Sequence, residues 1–209
     1  MRWKCVKRLK LPASMSLNVN EIFYSLQGEG ARQGEASVFI RLSGCNLQCD
    51  FCDTDHSESR TMDLEQILDA IQSYPCRWII WTGGEPALQL TDETLLFFKQ
   101  HSYLQAIESN GHHKLSRLLD YTVVSPKGIN PAYAKEINPE VNEVRLPVES
   151  GKKIPSIESL PVAQQYFLSP VFTGNACSTQ ANVRYCVEYI QKHPEWRLSV
   201  QMHKLIGIV

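Results

Sequence analysis

Three thiols fall within eight residues in the stretch Arg41-Leu-Ser-Gly-Cys45-Asn-Leu-Gln-Cys49-Asp-Phe-Cys52-Asp-Thr-Asp-His56. Their spacing is Cys-x3-Cys-x2-Cys, whereas the other four cysteines, Cys5, Cys76, Cys177 and Cys186, are scattered. A loop this short can turn three sulfurs toward one point, and soft thiolates select zinc, copper(I) or iron–sulfur clusters. A structural zinc site closes with four protein ligands, and an electron-carrying 4Fe-4S cluster also takes four cysteines. No neighbouring Cys-x2-Cys or His-x3-His supplies a fourth ligand. Three thiolates on a four-iron cube leave one iron open, and an open metal position is what a catalytic site keeps for substrate or cofactor. The competing reading is a zinc knuckle closed by His56.

Two glycine-bearing stretches add to this. Gly83-Gly84-Glu85-Pro86 and Gln27-Gly28-Glu29-Gly30 both permit positive φ and a close backbone approach. Each alone reads equally as a plain turn. Arg41, beside the thiol loop, reads as a satisfied structural cation or as a bidentate anion clamp.

The 209 residues suit one domain with a sizeable core. A formal net charge of −1 argues against a broad nucleic-acid or anionic-membrane surface. No apolar run approaches the roughly 18 residues needed to span a bilayer. Seven cysteines, an odd number with three of them clustered, suit the reducing cytoplasm and metal binding better than a disulfide framework. Met1 to Lys10 holds five of the 21 basic side chains, but no apolar run follows to complete a signal peptide. Residues 1–16 read as a basic tail and residues 17–209 as the domain.

Strand and helix patterns alternate along that domain. Strands are expected at Asn18–Leu26, Ala36–Leu42, Cys76–Thr82, Leu104–Glu108, Tyr121–Ser125, Glu143–Val148, Gln165–Ser169 and Arg197–Met202. Pro147 suggests that its strand lies at an edge or ends early. Helices are expected at Asp63–Tyr74, Thr91–His101, His112–Leu119 and Thr179–His193, the last with Val183, Val187 and Ile190 inward. Ile129–Asn142, with two prolines, reads as irregular. The alternation implies α/β architecture with a parallel sheet and right-handed crossovers. About six units fit, fewer than a full eight-fold barrel needs, so the expected fold is a partial, open parallel β/α barrel with an added N-terminal strand. The three thiols, the Gly83-Gly84 pair, Ser109-Asn110-Gly111, Ser125-Pro126-Lys127 and Ser169-Pro170 each follow a strand. In parallel α/β folds those ends share one face, which carries the site.

The thiol spacing with Phe51 before the third cysteine, followed by Gly83-Gly84-Glu85, resembles the radical S-adenosylmethionine (SAM) superfamily. The resemblance narrows at Asn20 to Gly30, Phe39-Ile-Arg41, Cys52-Asp53-Thr54, Val124-Ser-Pro-Lys127 and Gln201-Met-His203-Lys204, which look like the 7-carboxy-7-deazaguanine synthase family. That family converts 6-carboxy-5,6,7,8-tetrahydropterin to 7-carboxy-7-deazaguanine with loss of ammonia, in the pathway to queuosine and related 7-deazapurines.

The resemblance implies a 4Fe-4S cluster on Cys45, Cys49 and Cys52, with SAM chelating the open iron. It implies SAM contacts from Phe51, Cys52, Asp53, Gly84, Ser125, Pro126, Lys127 and the segment Ser169, Pro170, Val171 and Phe172. Pterin contacts would come from Leu26, Gln27, Gly28, Glu29, Arg41, Thr82, His203 and the main chain of Val209. Thr54 would bind Mg2+ through its hydroxyl. The implied partners are the pterin, an external one-electron donor of flavodoxin or ferredoxin type, and a second copy in a homodimer. The rival enzyme reading is another small radical SAM protein, such as a glycyl-radical activase acting on a protein partner. The rival outside enzymology is a zinc-stabilised binding module.

Overall fold

The computed structural model describes residues 15–52, 55, 58–127 and 131–208. In chain order the strands and helices are β1 (Ser16–Leu26), β2 (Ala36–Leu42), β3 (Arg60–Asp63), α1 (Leu64–Ile71), β4 (Trp78–Gly83), α2 (Asp92–Gln100), β5 (Leu104–Ser109), β6 (Tyr121–Val124), α3 (Pro131–Ile137), β7 (Glu140–Val148), β8 (Val162–Pro170), α4 (Ala176–Ile190), β9 (Trp196–Leu198) and α5 (Met202–Ile206). One sheet of order β3-β1-β2-β4-β5-β6-β7-β8-β9 holds all the strands. From β2 onward every neighbouring pair is parallel; β1 and β3 are antiparallel additions at one edge. The sheet is not closed. The expected open, partial barrel of about six crossovers is the observed architecture, with β1 as its added N-terminal strand.

Alternation along the strands separates a helix-facing side from a site-facing side. On β2, Val38, Ile40 and Leu42 are wholly buried and join Ile67, Ile71, Trp81, Leu95 and Phe98 in one core. Phe39 and Arg41, between them, point to the other face and line a cavity. The same rule places Val144, Leu146 and Val148 of β7 in a second core with Leu168, Cys186 and Trp196, leaving Glu143 and Arg145 on the site side. Helix α1 is held at its start by a capping box between Asp63 and Gln66. Thr91 caps α2 by accepting from the Thr94 amide at 3.3 Å.

Five local expectations change. His112–Leu119 is not helical, because the Asn138 side chain satisfies its backbone. Asn138 accepts from the Leu115 amide at 2.9 Å and donates to Gly111 O and His113 O at 3.1 and 3.0 Å. Ile129–Asn142 is not irregular throughout: Pro131 opens α3, the position where its fixed φ and missing N–H suit a helix, and β7 begins at Glu140. β7 is not an edge strand but lies between β6 and β8, and Pro147 sits one residue from its end, where losing a donor disturbs the ladder least. On α4 the fully buried positions are Asn182 and Cys186, while Val187 is exposed. Asn182 earns its burial by accepting from Ser150 N and donating to Val171 O, at 2.8 and 2.7 Å. The last strand is the short β9, because the chain then leaves the sheet to cross the mouth of the site. A further strand, β3, pairs with β1 and was not anticipated.

Candidate active site

The carboxyl ends of β2, β4, β5, β6 and β8 open into one cavity of about 440 Å3. Cys45, Cys49 and Cys52 line it, together with Phe51. The loop carrying them turns back on itself through Cys52 N donating to Cys49 O at 3.0 Å. The Leu47 amide donates to Cys45 Sγ at 3.4 Å, and N–H donors to sulfur are one means by which a protein tunes an iron–sulfur cluster. Burial raises the Cys49 thiol above its usual pKa, and Lys127 nearby pulls the other way. Among the described residues no three side chains are gathered closely enough to ligate one metal ion. Asn110 Nδ2 donates to Asn46 Oδ1 at 2.8 Å, tying the loop to the end of β5.

The glycine pair sits directly against this loop. Gly84 N donates to Leu42 O and Glu85 N to Gly44 O, both at 2.9 Å. A Cβ on Gly84 would fall far inside contact with Gly44 O, so only glycine allows the approach. Glu85 is fully buried beneath it. Its carboxylate accepts from Ala87 N, Asn110 N and the Ser109 hydroxyl at 3.0, 2.7 and 2.9 Å. One carboxylate thereby locks the ends of β4 and β5 together.

A cluster of charge, with Glu29, Glu108 and Arg145, lines the same cavity. Arg145 donates from Nη1 to Glu29 Oε2 and Glu108 Oε2 at 3.0 and 3.1 Å, and from Nη2 to Glu143 Oε1 and Glu108 Oε1 at 2.6 and 3.4 Å. Its Nε also donates to Glu143 Oε1 at 2.9 Å. Gln27 Nε2 donates to Glu108 Oε1 at 3.0 Å. Burial raises the Glu108 pKa; Arg145 opposes this, and Glu143 and Glu29 add to it. Burial disfavours the charge on Arg145, but Glu108, Glu143 and Glu29 outweigh that and raise its pKa. Arg41 is anchored through Nε to Glu21 Oε1 at 2.7 Å and faces the cavity.

The far rim comes from the C-terminal segment. Met202 N donates to Gly28 O and Gly30 N donates to the Ser199 hydroxyl, both at 2.9 Å. His203 covers Gly28 so closely that a Cβ there would overlap its imidazole.

Of the residues expected at the site, Leu26, Gln27, Gly28, Glu29, Arg41, Thr82, Gly84, Ser125, Lys127, Ser169 to Phe172 and His203 all line this cavity. Pro126 does not line it. Asp53, Thr54, His56 and Val209 lie outside the described residues, as does the basic tail up to residue 14. Sequence reasoning missed Glu108, Glu143 and Arg145. Their signal was available: Glu143 and Arg145 stand two apart in an apolar strand, hence on one face, and Glu108 ends another such strand.

Residues 39–160, more than half of the chain, match the Radical SAM superfamily. The 7-carboxy-7-deazaguanine synthase of Bacteroides thetaiotaomicron is 40% identical over 195 residues, covering 93% of this chain and 100% of the relative. The chain belongs to the 7-carboxy-7-deazaguanine synthase family. A second member, from Haemophilus influenzae, is 39% identical over 92% of this chain and 94% of its own length. The crystal structure of QueE from Escherichia coli superposes with a TM-score of 0.70 at 24% identity, covering 90% of this chain and 95% of that one. The superfamily implies a 4Fe-4S cluster and SAM. The residues present fit both: three thiols on one cavity wall, an N–H donor on one sulfur, and a glycine cradle beside them.

Proposed function

We propose that this protein converts 6-carboxy-5,6,7,8-tetrahydropterin to 7-carboxy-7-deazaguanine with release of ammonia, a radical SAM step toward queuosine and related 7-deazapurines. The observation that carries the reading is that one 440 Å3 cavity is lined both by the three-thiol loop and by Gln27, Glu29 and Glu108. A carboxylated pterin presents an amino–imino edge rich in donors and, at the opposite end, an anion. The two glutamates suit the first and Arg41 the second.

Bound together, the cluster and SAM would supply one-electron chemistry able to take the hydrogen at the pterin C6. Cys45, Cys49 and Cys52 would hold the cluster. Gly84, Ser125, Lys127 and the Ser169–Phe172 segment, with Phe51, Cys52 and Asp53, would cradle SAM. Gln27, Gly28, Glu29, Leu26, Thr82, Arg41 and His203, with the main chain of Val209, orient the pterin so that C6 faces the thiol wall. Thr54 supplies a hydroxyl to Mg2+, a hard cation content with one protein ligand plus substrate oxygens and water. α5 closes the rim and keeps bulk water from the reacting atoms. A flavodoxin- or ferredoxin-type donor feeds the electron, a second copy completes a homodimer, and the protein works in the cytoplasm. No helix among the described residues is long and apolar enough to cross a membrane.

The test is anaerobic incubation of the reconstituted enzyme with the carboxylated tetrahydropterin, SAM, Mg2+ and a reductant, read by mass spectrometry. The deazapurine mass with one equivalent of ammonia is expected. Its absence from a preparation with full iron and bound SAM would end the reading.

A further inference from the structure

The guanidinium of Arg145 spends every donor it has on protein. A guanidinium carries five N–H groups, and five hydrogen bonds leave this one, all to Glu29, Glu108 and Glu143. It is only 8% exposed, and no N–H remains for a ligand. Glu143 is equally committed: Oε1 takes Arg145, and Oε2 accepts from the Tyr121 hydroxyl and the Ala31 amide, both at 3.0 Å. Glu29 differs. Its Oε2 meets Arg145, while Oε1 has no partner among the described residues. Glu108 and Glu29 are the more exposed acids of the set, at 21% and 16%, against 1% for Glu143.

We propose that Arg145 is the positioning residue for the pterin: locked from behind by Glu143 and Tyr121, it fixes Glu29 and Glu108 as a preset pair of acceptors for the ligand's amino–imino edge. The inference rests on the function proposed above and deepens it. Four elements meet in this device, namely the turn after β1, β5, β6 and β7. Because Arg145 touches both acceptors at once, the separation of the two carboxylates is set by the rigid planar fork rather than by two independent side chains. A lysine at this position keeps the charge but offers a point-like ammonium on a flexible stem, which cannot fork onto both.

The experiment compares wild-type, R145K and R145Q holoenzymes, each reconstituted anaerobically and checked for iron content. KM is measured separately for the carboxylated tetrahydropterin and for SAM, and binding of oxidised 6-carboxypterin is measured by calorimetry. R145K is expected to fold, to keep its iron and its SAM KM within about twofold, and to weaken pterin KM and 6-carboxypterin binding by about tenfold, the scale of one lost charge-assisted hydrogen bond. R145Q is expected to lose more pterin affinity than R145K. Pterin KM and 6-carboxypterin affinity unchanged in R145K would overturn the proposal, as would equal losses toward pterin and SAM, which mark general damage. Wild-type enzyme that makes no deazapurine sinks the function itself; wild-type enzyme that makes it beside an unaffected R145K sinks only the role of Arg145.

Discussion

Glu143 Oε1 occupies the place where Gly30 would carry a side chain. An added Cβ would overlap that oxygen and lie 2.5 Å from Arg145 Nη2, and Gly30 also has φ +72°. The second glycine of Gln27-Gly28-Glu29-Gly30 is therefore the imprint of a buried ion cluster contributed by a distant strand. Replacing Gly30 by Ala should cost about 2 kcal/mol or more through backbone strain and displacement of Glu143. For a chain of this size that is a melting-temperature loss of roughly 4–8 °C, measurable by calorimetry, with weakened pterin binding. A variant melting with the wild type would mean that the cluster yields without cost.

Glu108 gives a pH dependence with a definite sign. Burial raises its folded pKa above the unfolded carboxylate value. The protonated form is thus favoured in the fold. That contribution is complete below the unfolded pKa and is lost as pH rises through the folded one. E108Q is neutral at every pH and should melt above wild type at neutral and alkaline pH, the gap closing in acid, while product formation falls sharply. A melting difference that stays constant from acid to neutral pH would contradict this account.

Cys49 has the clearest consequence. C49A should lose iron after anaerobic reconstitution and make no deazapurine, with the far-ultraviolet spectrum of the fold retained. Turnover at a tenth of the wild-type rate or better would be incompatible with a cluster held by three thiolates.

Gly84 tests the contact between the glycine pair and the thiol loop. In G84A the new methyl group must displace Gly44, the neighbour of Cys45. Iron incorporation should drop and SAM KM should rise, with pterin binding to the Gln27 side changed far less. Normal iron with selective loss of pterin affinity would place this glycine pair nearer the wrong ligand.

Much of this was readable beforehand where a single stretch determined its own fate. Ala36–Leu42 reads as a strand ending at the thiols, and β2 has those bounds, because its apolar positions serve one core. The site face was legible because parallel strands put their carboxyl ends together. His112–Leu119 misled because Leu115, Leu118 and Leu119 have helical spacing, yet a side chain 23 residues downstream, Asn138, bonds the Leu115 amide. The Arg145 cluster was invisible for a related reason. Its members come from a turn and two strands far apart in sequence, and only the folded sheet sets them side by side.

The rim of the cavity is stitched from opposite extremes of the described chain, Gly28 and Gly30 near one end, Ser199 and Met202 near the other. On the ribosome the thiols therefore emerge long before the wall that will shelter them. Iron assembled during synthesis would meet solvent and oxygen at an unfinished mouth. The architecture favours metal loading only once the Ser199–Met202 segment has docked on Gly28 and Gly30.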